Sequence, residues 1–488
     1  MISPTLEEAR RIAPGHALIP ISMELYADLR TPVEVLKSIL ACGQEACMLE
    51  SAPGGENWGR YTFIGCSPDM ELRAKGNRVS VIRGASVETV ECKPVEYLRK
   101  VLKECASPKI ATLPPFAGGF VGYFAYEMFG HSEPTLKLAE SDDVGFDDFR
   151  LLRFGKVIAF DNLRQKMILI TNISTGDLEQ NYMEGVADLK DLEYAAMAQF
   201  KEPARKPSVP VSFKASATKE EFMEKVEKAK KHIFEGDIFQ VVPSLRFSSP
   251  FGDSLLPAYR ALRTINPSSY MFYLKFTDLQ LAGASPETLV SLKDGIASTY
   301  PLAGTCKRPE SADEEAKAIE ELLHDEKELA EHQMLVDLGR NDLGKVCKFG
   351  TVTVPEHLKI KKLSHVCHIA SRVTGEAKEG VEALDVVLAA LPAGTLSGAP
   401  KKRAAEIITE LEGFRRGVYG GAVGYIDFAG SMDLCIGIRM AVLKDGVVHV
   451  QAGAGIVYDS VPEKEYEECA SKAKAMIEAL KVAEGAGK

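Results

Sequence analysis

The sequence predicts an α+β fold, on three observations. Short apolar runs bounded by turn residues recur along the chain, densely from Ala46 to Val90. Amphipathic helices opened by capping signatures come after groups of such strands instead of alternating with them one for one. The 488 residues, 45% hydrophobic and 26% charged, make an ordinary globular composition with room for two or three domains.

Taken in order, Thr5 to Ala13 reads as a short capped helix. MLES, RYTFIG and DMELRAKGNRVSVIRG are strands, the last folded into a hairpin at Gly76-Asn77. The glycine-rich FAGGFVGYFAYEMFG, Phe116 to Gly130, predicts a strand running into a helix, its glycines permitting close backbone approach. A second hairpin is expected across Val157 to Ile173, turning at Asp161-Asn162, and a helix over Tyr182 to Phe200. Lys201 to Ala217, with Pro203, Pro207 and Pro210, reads as a linker between an N-terminal domain, 1–200, and a second domain, 215–482.

Beyond the linker, Thr218 and Glu221 form a capping box for a helix that Gly236 closes. Asp237 to Phe247 is expected as one strand with Gln240 inside its apolar run. Phe272 to Leu292 gives further strands, and Thr299 to Arg308 a strand breaking into a Gly-Thr turn. Two helices come next, then a strand-like stretch from His357 to Gly375 that carries three histidines. Leu391 to Phe414 joins a glycine-rich loop to an amphipathic helix starting at Pro400. GVYGGAVGYIDFAG, DLCIGIRMAVL and GVVHVQAGAGIVYDS are strands, and Pro462 to Leu480 is the last helix.

A formal charge of -10 argues against nucleic acid or an anionic membrane as main partner. No apolar run approaches the roughly 18 residues of a membrane span, and Met1 to Ile12 lacks a signal peptide's apolar core. Ten cysteines at irregular spacings, without CxxC pairs, read as reduced thiols of a cytoplasmic protein.

The stretch that asks for chemistry is DEKELAEHQMLVDLGRNDLG, Asp325 to Gly344. Asp325 opens a helix, and Leu329, Met334, Leu335, Val336 and Leu338 give it a broad apolar surface. At about 100° per residue Glu331 falls between Leu335 and Leu338, and Glu328 beside Leu335. A carboxylate among leucines must be neutralised, paired or bound to a metal. Glu328 alone is also explained as the second half of a capping box. Glu465 and Glu468 share a face of the last helix, and two carboxylate pairs on two helices suit Mg²⁺.

GTLSGAPK, Gly394 to Lys401, feeds a helix start that suits a carboxylate or phosphate, or is simply a helix cap. Alternation puts His368 on the strand face of Val366 and Ala370, opposite His365. One of these histidines is a candidate proton shuttle, although a lone strand histidine is more often structural. Zinc spacing and a G-x-S-x-G elbow are both missing from the sequence.

PLAGTCKR, DEKELAEHQMLVDLGRNDLG, HVCHIASRVTG, AGTLSGAPK, VYGGAVGYIDF, CIGIRM and QAGAGIVYDSVPEKEYEE occur in the order that resembles chorismate-utilising enzymes. MLESA near Leu49 and NPSSYMFYL, Asn266 to Leu274, are similar to the anthranilate synthase large subunits and extend the likeness to nearly the whole chain. The resemblance implies an α+β fold of antiparallel sheets stacked in a sandwich, with helices outside.

It also implies that Glu331 and Glu468, with Glu465 lining the same site, hold Mg²⁺ against the ring carboxylate of chorismate. Glu328 would protonate the departing ring hydroxyl, and His368, not His365, would act in pyruvate elimination. Tyr419 and Arg439 would hold the enolpyruvyl carboxylate, helped by the backbone at Gly453 and Gly455. Gly304, Thr305 and Thr395 would contact the ring region.

Gln240 stands where isochorismate synthases place a water-activating lysine. Ala303 stands where many aminodeoxychorismate synthases place a nucleophilic one. Both favour ammonia as nucleophile and anthranilate as product, with aminodeoxychorismate synthase as the alternative. The resemblance further implies an L-tryptophan inhibition site at Glu50, Ser51, Ser269, Tyr270, Met271, Val423 and Tyr425, with Ser269 replacing the usual proline. The same residues are also explained as ordinary interdomain core. No G-x-C-x-G-H setting for a glutaminase nucleophile occurs, so ammonia is expected from a separate glutamine amidotransferase subunit. A scaffold that senses tryptophan without catalysis is the reading from another class, and the full acidic and histidine set argues against it.

Overall fold

Among the described residues the apolar runs fold into two sheets of 12 strands each, every neighbouring pair antiparallel. The computed structural model describes residues 2–43, 45–51, 59–198, 210–309, 311–362 and 366–485. The first sheet runs from Ile2–Ser3 through N-terminal strands to Ala46–Glu50. It continues with Tyr270–Lys275 through C-terminal strands to Lys214–Ala215. The second has its seam where Ala422–Asp427 pairs with Gly119–Phe124. Each half of the chain therefore supplies strands to both sheets.

The sheets stack face to face over Phe63, Phe116, Leu152, Ile168, Phe272 and Val423. Fully burying one such phenylalanine stabilises the fold by roughly 1.5–3 kcal/mol. The outer face of the first sheet lies under helices Leu178–Met197, Leu256–Ile265 and Pro462–Gly485. The second lies under Pro94–Glu104, Glu326–Val346 and Ala383–Ala390. Because both faces are covered, strands such as Gly119–Phe124 read as continuous apolar runs instead of alternating ones. This is the expected α+β sandwich with helices outside.

Three elements depart from the sequence reading. Asp237 to Phe247 is not one strand: Gln240–Val241 pairs with Gly398–Ala399, and Ser244–Pro250 joins the first sheet. Pro243 stands at the break, where it has no N–H for a ladder. Phe116 to Gly130 holds the strand Gly119–Phe124, but that strand leads into one tight turn, Tyr126–Met128, and the short helix Phe129–Ser132. His357 to Gly375 is a two-stranded ribbon, Thr353–Lys362 against Val366–Glu376, and His365 lies outside the described residues.

Candidate active site

Helix Glu326–Val346 starts where Asp325 accepts the backbone N–H groups of Lys327 and Glu328, at 2.9 and 3.1 Å. Along that helix Glu331 lies within the electrostatic reach of Glu468 and Lys472 on the last helix, Pro462–Gly485. Burial raises the Glu331 carboxyl above its ordinary range, and the charges of Glu328 and Glu468 raise it further. Glu465 is raised by burial, with Glu468 adding to it. Lys472 answers part of this charge, its ammonium 2.5 Å from Glu468 and donating to the Gly453 carbonyl at 3.1 Å.

Four carboxylates on two helices form a hard, all-oxygen donor set, the chemistry that Mg²⁺ prefers while keeping some waters. Among the described residues, the three ligating groups lying within 4.8 Å of one another are His232, Glu235 and Asp237, on the surface. Asp237 there is already held by His232 at 2.9 Å and Arg403 at 3.0 Å. The glutamates thus share one field without closing into a three-ligand cluster.

His368 stands on the half-exposed face of its strand with Val366 and Ala370, as alternation requires. Its Nδ1 lies 3.2 Å from the Gly304 carbonyl, so Nδ1–H donates and Nε2 is the basic end. Burial lowers the imidazole's pKa, and the charges of Lys361 and Arg439 lower it further, so the ring is neutral near pH 7. The carbonyl is placed by a bulge: the ladder shifts register between Ala303 and Thr305, and Gly304 takes φ +68°. A Cβ on Gly304 would stand 3.4 Å from the Glu328 carboxylate, so Glu328 flanks the same bulge as His368.

On the other side of the site, Arg439 takes φ +52°, a left-handed conformation costing about 1–3 kcal/mol in a non-glycine residue. Its guanidinium feels Tyr419, Glu468 and Glu287. A Cβ on Gly453 would come 2.9 Å from the Tyr419 hydroxyl, and one on Gly455 2.7 Å from the Gln240 amide nitrogen. Glycine at both positions leaves room for those polar groups. Among the described residues the buried Gln240 carboxamide oxygen has no partner.

Thr395 donates to Glu287 at 3.0 Å. Glu287 is the residue that sequence reasoning missed. Burial pushes its carboxyl up to about 7, against the pull of Thr395, Lys472 and Arg439. Its signal was a lone acid in the apolar stretch LAGASPETLV. Lys472, also missed, sits among several exposed lysines of its helix and carries no pattern of its own. The Thr305 backbone pairs with His368.

The sequence model of the chorismate binding enzymes matches residues 45–478. The chain belongs to that family. It is 43% identical to the anthranilate synthase component 1 of Acetivibrio thermocellus over 494 residues, 99% of each chain. It is also 43% identical to that of Aquifex aeolicus over 486 residues, 98% of each. The crystal structure of anthranilate synthase component I from Streptococcus pneumoniae TIGR4 superposes with a TM-score of 0.76 at 35% identity, covering 88% of this chain and 93% of that one. The menaquinone-specific isochorismate synthase of Escherichia coli shares the fold, with a TM-score of 0.71 at 19% identity over 97% of this chain and 98% of its own.

The second set of residues gathers at the seam of the first sheet. Glu50 stands opposite Met271 in the ladder. Its carboxylate accepts Tyr259 Oη and Arg263 Nε, both at 2.5 Å, and Arg263 Nη2 at 3.0 Å, so any further cation must share it. The neighbouring Ser51 hydroxyl is buried without a partner among the described residues. Tyr270 bonds Thr288 at 2.9 Å and Asp433 at 2.8 Å, and Ser269 accepts the Lys361 ammonium at 2.9 Å. Val423 and Tyr425 belong to the core between the sheets, Tyr425 packing on Phe116 at 4.7 Å.

Proposed function

We propose that this chain is the large subunit of an anthranilate synthase. It adds ammonia to the chorismate carbon beside the ring carboxylate, expels the ring hydroxyl and eliminates pyruvate to leave anthranilate, the first step of tryptophan biosynthesis. The observation that carries the choice of reaction is Gln240. A carboxamide beside Gly455 has no basic nitrogen with which to activate water, whereas a lysine there would.

Glu331, Glu465 and Glu468 would hold Mg²⁺, which when bound neutralises the ring carboxylate and acts as a Lewis acid. Arg439 and Tyr419 take the enolpyruvyl carboxylate, with the backbone at Gly453 and Gly455 beside it. Thr395 and the Gly304–Thr305 bulge bracket the ring. Two carboxyls flank the departing hydroxyl, Glu328 and Glu287. Glu287 keeps its proton to about pH 7 and is assigned as the donor. His368, through Nε2, takes the ring proton that must leave as pyruvate departs and the ring aromatises.

L-Tryptophan is the proposed inhibitor, bound beside Glu50, Ser51 and Met271. A separate glutamine amidotransferase subunit is the proposed ammonia source in the cytoplasm. Incubation with chorismate, Mg²⁺ and ammonium tests the reading. Anthranilate as main product supports it, and isochorismate or an aminodeoxychorismate overturns it.

A further inference from the structure

Arg416 is a full charge that the fold buries to 2% exposure, outside the groups assigned to the chemistry. It follows helix Lys401–Glu412, which Gly413 ends at φ +73°. A guanidinium in that position needs an acceptor for each N–H it hides from water. Nε and Nη2 fork onto Glu412 at 2.9 and 2.5 Å. Nη1 donates to the Leu396 carbonyl and Nη2 to the Val242 carbonyl, both at 2.6 Å. The guanidinium carbon lies 4.8 Å from the ring centre of Tyr126 and 5.5 Å from that of Tyr419.

Three of these contacts belong to separate parts of the substrate site. Leu396 directly follows Thr395 in the single turn Gly394–Ser397, which is too short to satisfy its own carbonyls. Val242 comes two residues after Gln240, in the break between Gln240–Val241 and Ser244–Pro250. Tyr419 is the third. The arginine is itself held at both ends. Glu412 also accepts the Ser244 N–H at 2.8 Å and its hydroxyl at 2.7 Å. The backbone N–H groups of Arg416 and Gly417 donate to the buried Glu127 carboxyl at 2.8 and 3.0 Å.

We propose that Arg416 is a positioning residue for chorismate, fixing the Thr395 turn, the Gln240 strand and Tyr419 at one mutual spacing. The proposal rests on the site assignment above. A planar fork suits this task, because its donors point along set directions to acceptors on different elements. A lysine ammonium is a single point on a flexible stem and cannot hold Glu412 by two bonds while reaching both carbonyls.

Steady-state kinetics on two folded variants test it, with urea midpoints measured beside them. Arg416→Lys keeps the charge and loses the fork. Arg416→Met combined with Glu412→Gln removes both charges together, so no unpaired carboxylate is left buried, and the amide oxygen still accepts the Ser244 N–H. Both variants are expected to lose on the order of 10²-fold in kcat/KM for chorismate, because misplaced contact groups cost about that much. At least tenfold of that loss is expected in the chorismate KM. A residue that only supports the fold would lower the folded fraction, and with it kcat, at an unchanged KM. A chorismate KM within twofold of the natural chain in either folded variant therefore overturns the proposal. So does a loss confined to kcat that follows the urea midpoint, or a failure of both variants to fold. Isochorismate as the main product of the natural chain instead overturns the amination reading, and leaves the expected rise in chorismate KM as it stands.

Discussion

Replacing Glu287 by glutamine separates its role in the fold from its role in the chemistry. Folding raises this carboxyl from 4.5 to about 7, chiefly by burial. At 1.36 kcal/mol per pH unit that rise amounts to about 3 kcal/mol. The sign comes from the proton: the folded chain binds it more tightly than the unfolded one. The natural chain therefore loses stability as pH climbs from about 4.5 to about 7, and the loss is complete above that. An amide stays neutral throughout and keeps its hydrogen bond with Thr395. Glu287→Gln should equal the natural chain near pH 4.5 and exceed it by up to about 3 kcal/mol at pH 8, read from urea midpoints without Mg²⁺. Turnover should fall at least about 10²-fold, because the amide cannot give a proton to the leaving hydroxyl. A stability difference independent of pH, or near-natural turnover, would refute the reasoning.

Glu331→Gln should abolish turnover in a folded protein, and near-natural activity at ordinary Mg²⁺ would remove Glu331 from the metal site. His368→Ala should cost at least about 10²-fold in turnover and His365→Ala far less, so the reverse ranking in a parallel assay would show the wrong histidine. L-Tryptophan should inhibit, and Ser51→Phe should relieve inhibition while sparing catalysis, since the proposed inhibitor and catalytic sites are distinct. Equal inhibition of both proteins would refute that site. The chain alone should use ammonium, best at alkaline pH, and fail with glutamine until a glutaminase subunit is added. Glutamine-dependent synthesis by the purified chain would contradict this division of labour.

How much of the site the sequence could disclose depends on how local each signal is. The helix at Asp325 was legible because its cap and its apolar face lie within a few residues, and Glu331 then stood out as a charge on an apolar stripe. His368 could be placed on a face because alternation is a local rule, and its bulge was announced by Gly304. The strand break at Pro243 had a local cause too, but the apolar run around it outweighed one proline in the reading.

Glu287 was a different kind of case. Its meaning depends on Thr395, Arg439 and Lys472, which come from three distant parts of the chain and meet only in the fold. The same holds for the seams, where Glu50 meets Met271 and Val423 meets Tyr123. No periodicity within either half shows that the other half supplies the next strand. Those seams place the proposed inhibitor residues between the two halves. They also hold Ser269 to Lys361, whose strand neighbour is His368. A ligand wedged at Met271 would therefore sit two residues from Ser269, whose partner Lys361 neighbours the proposed catalytic imidazole. That contiguity is the physical route by which an inhibitor at the seam would be felt in the active site.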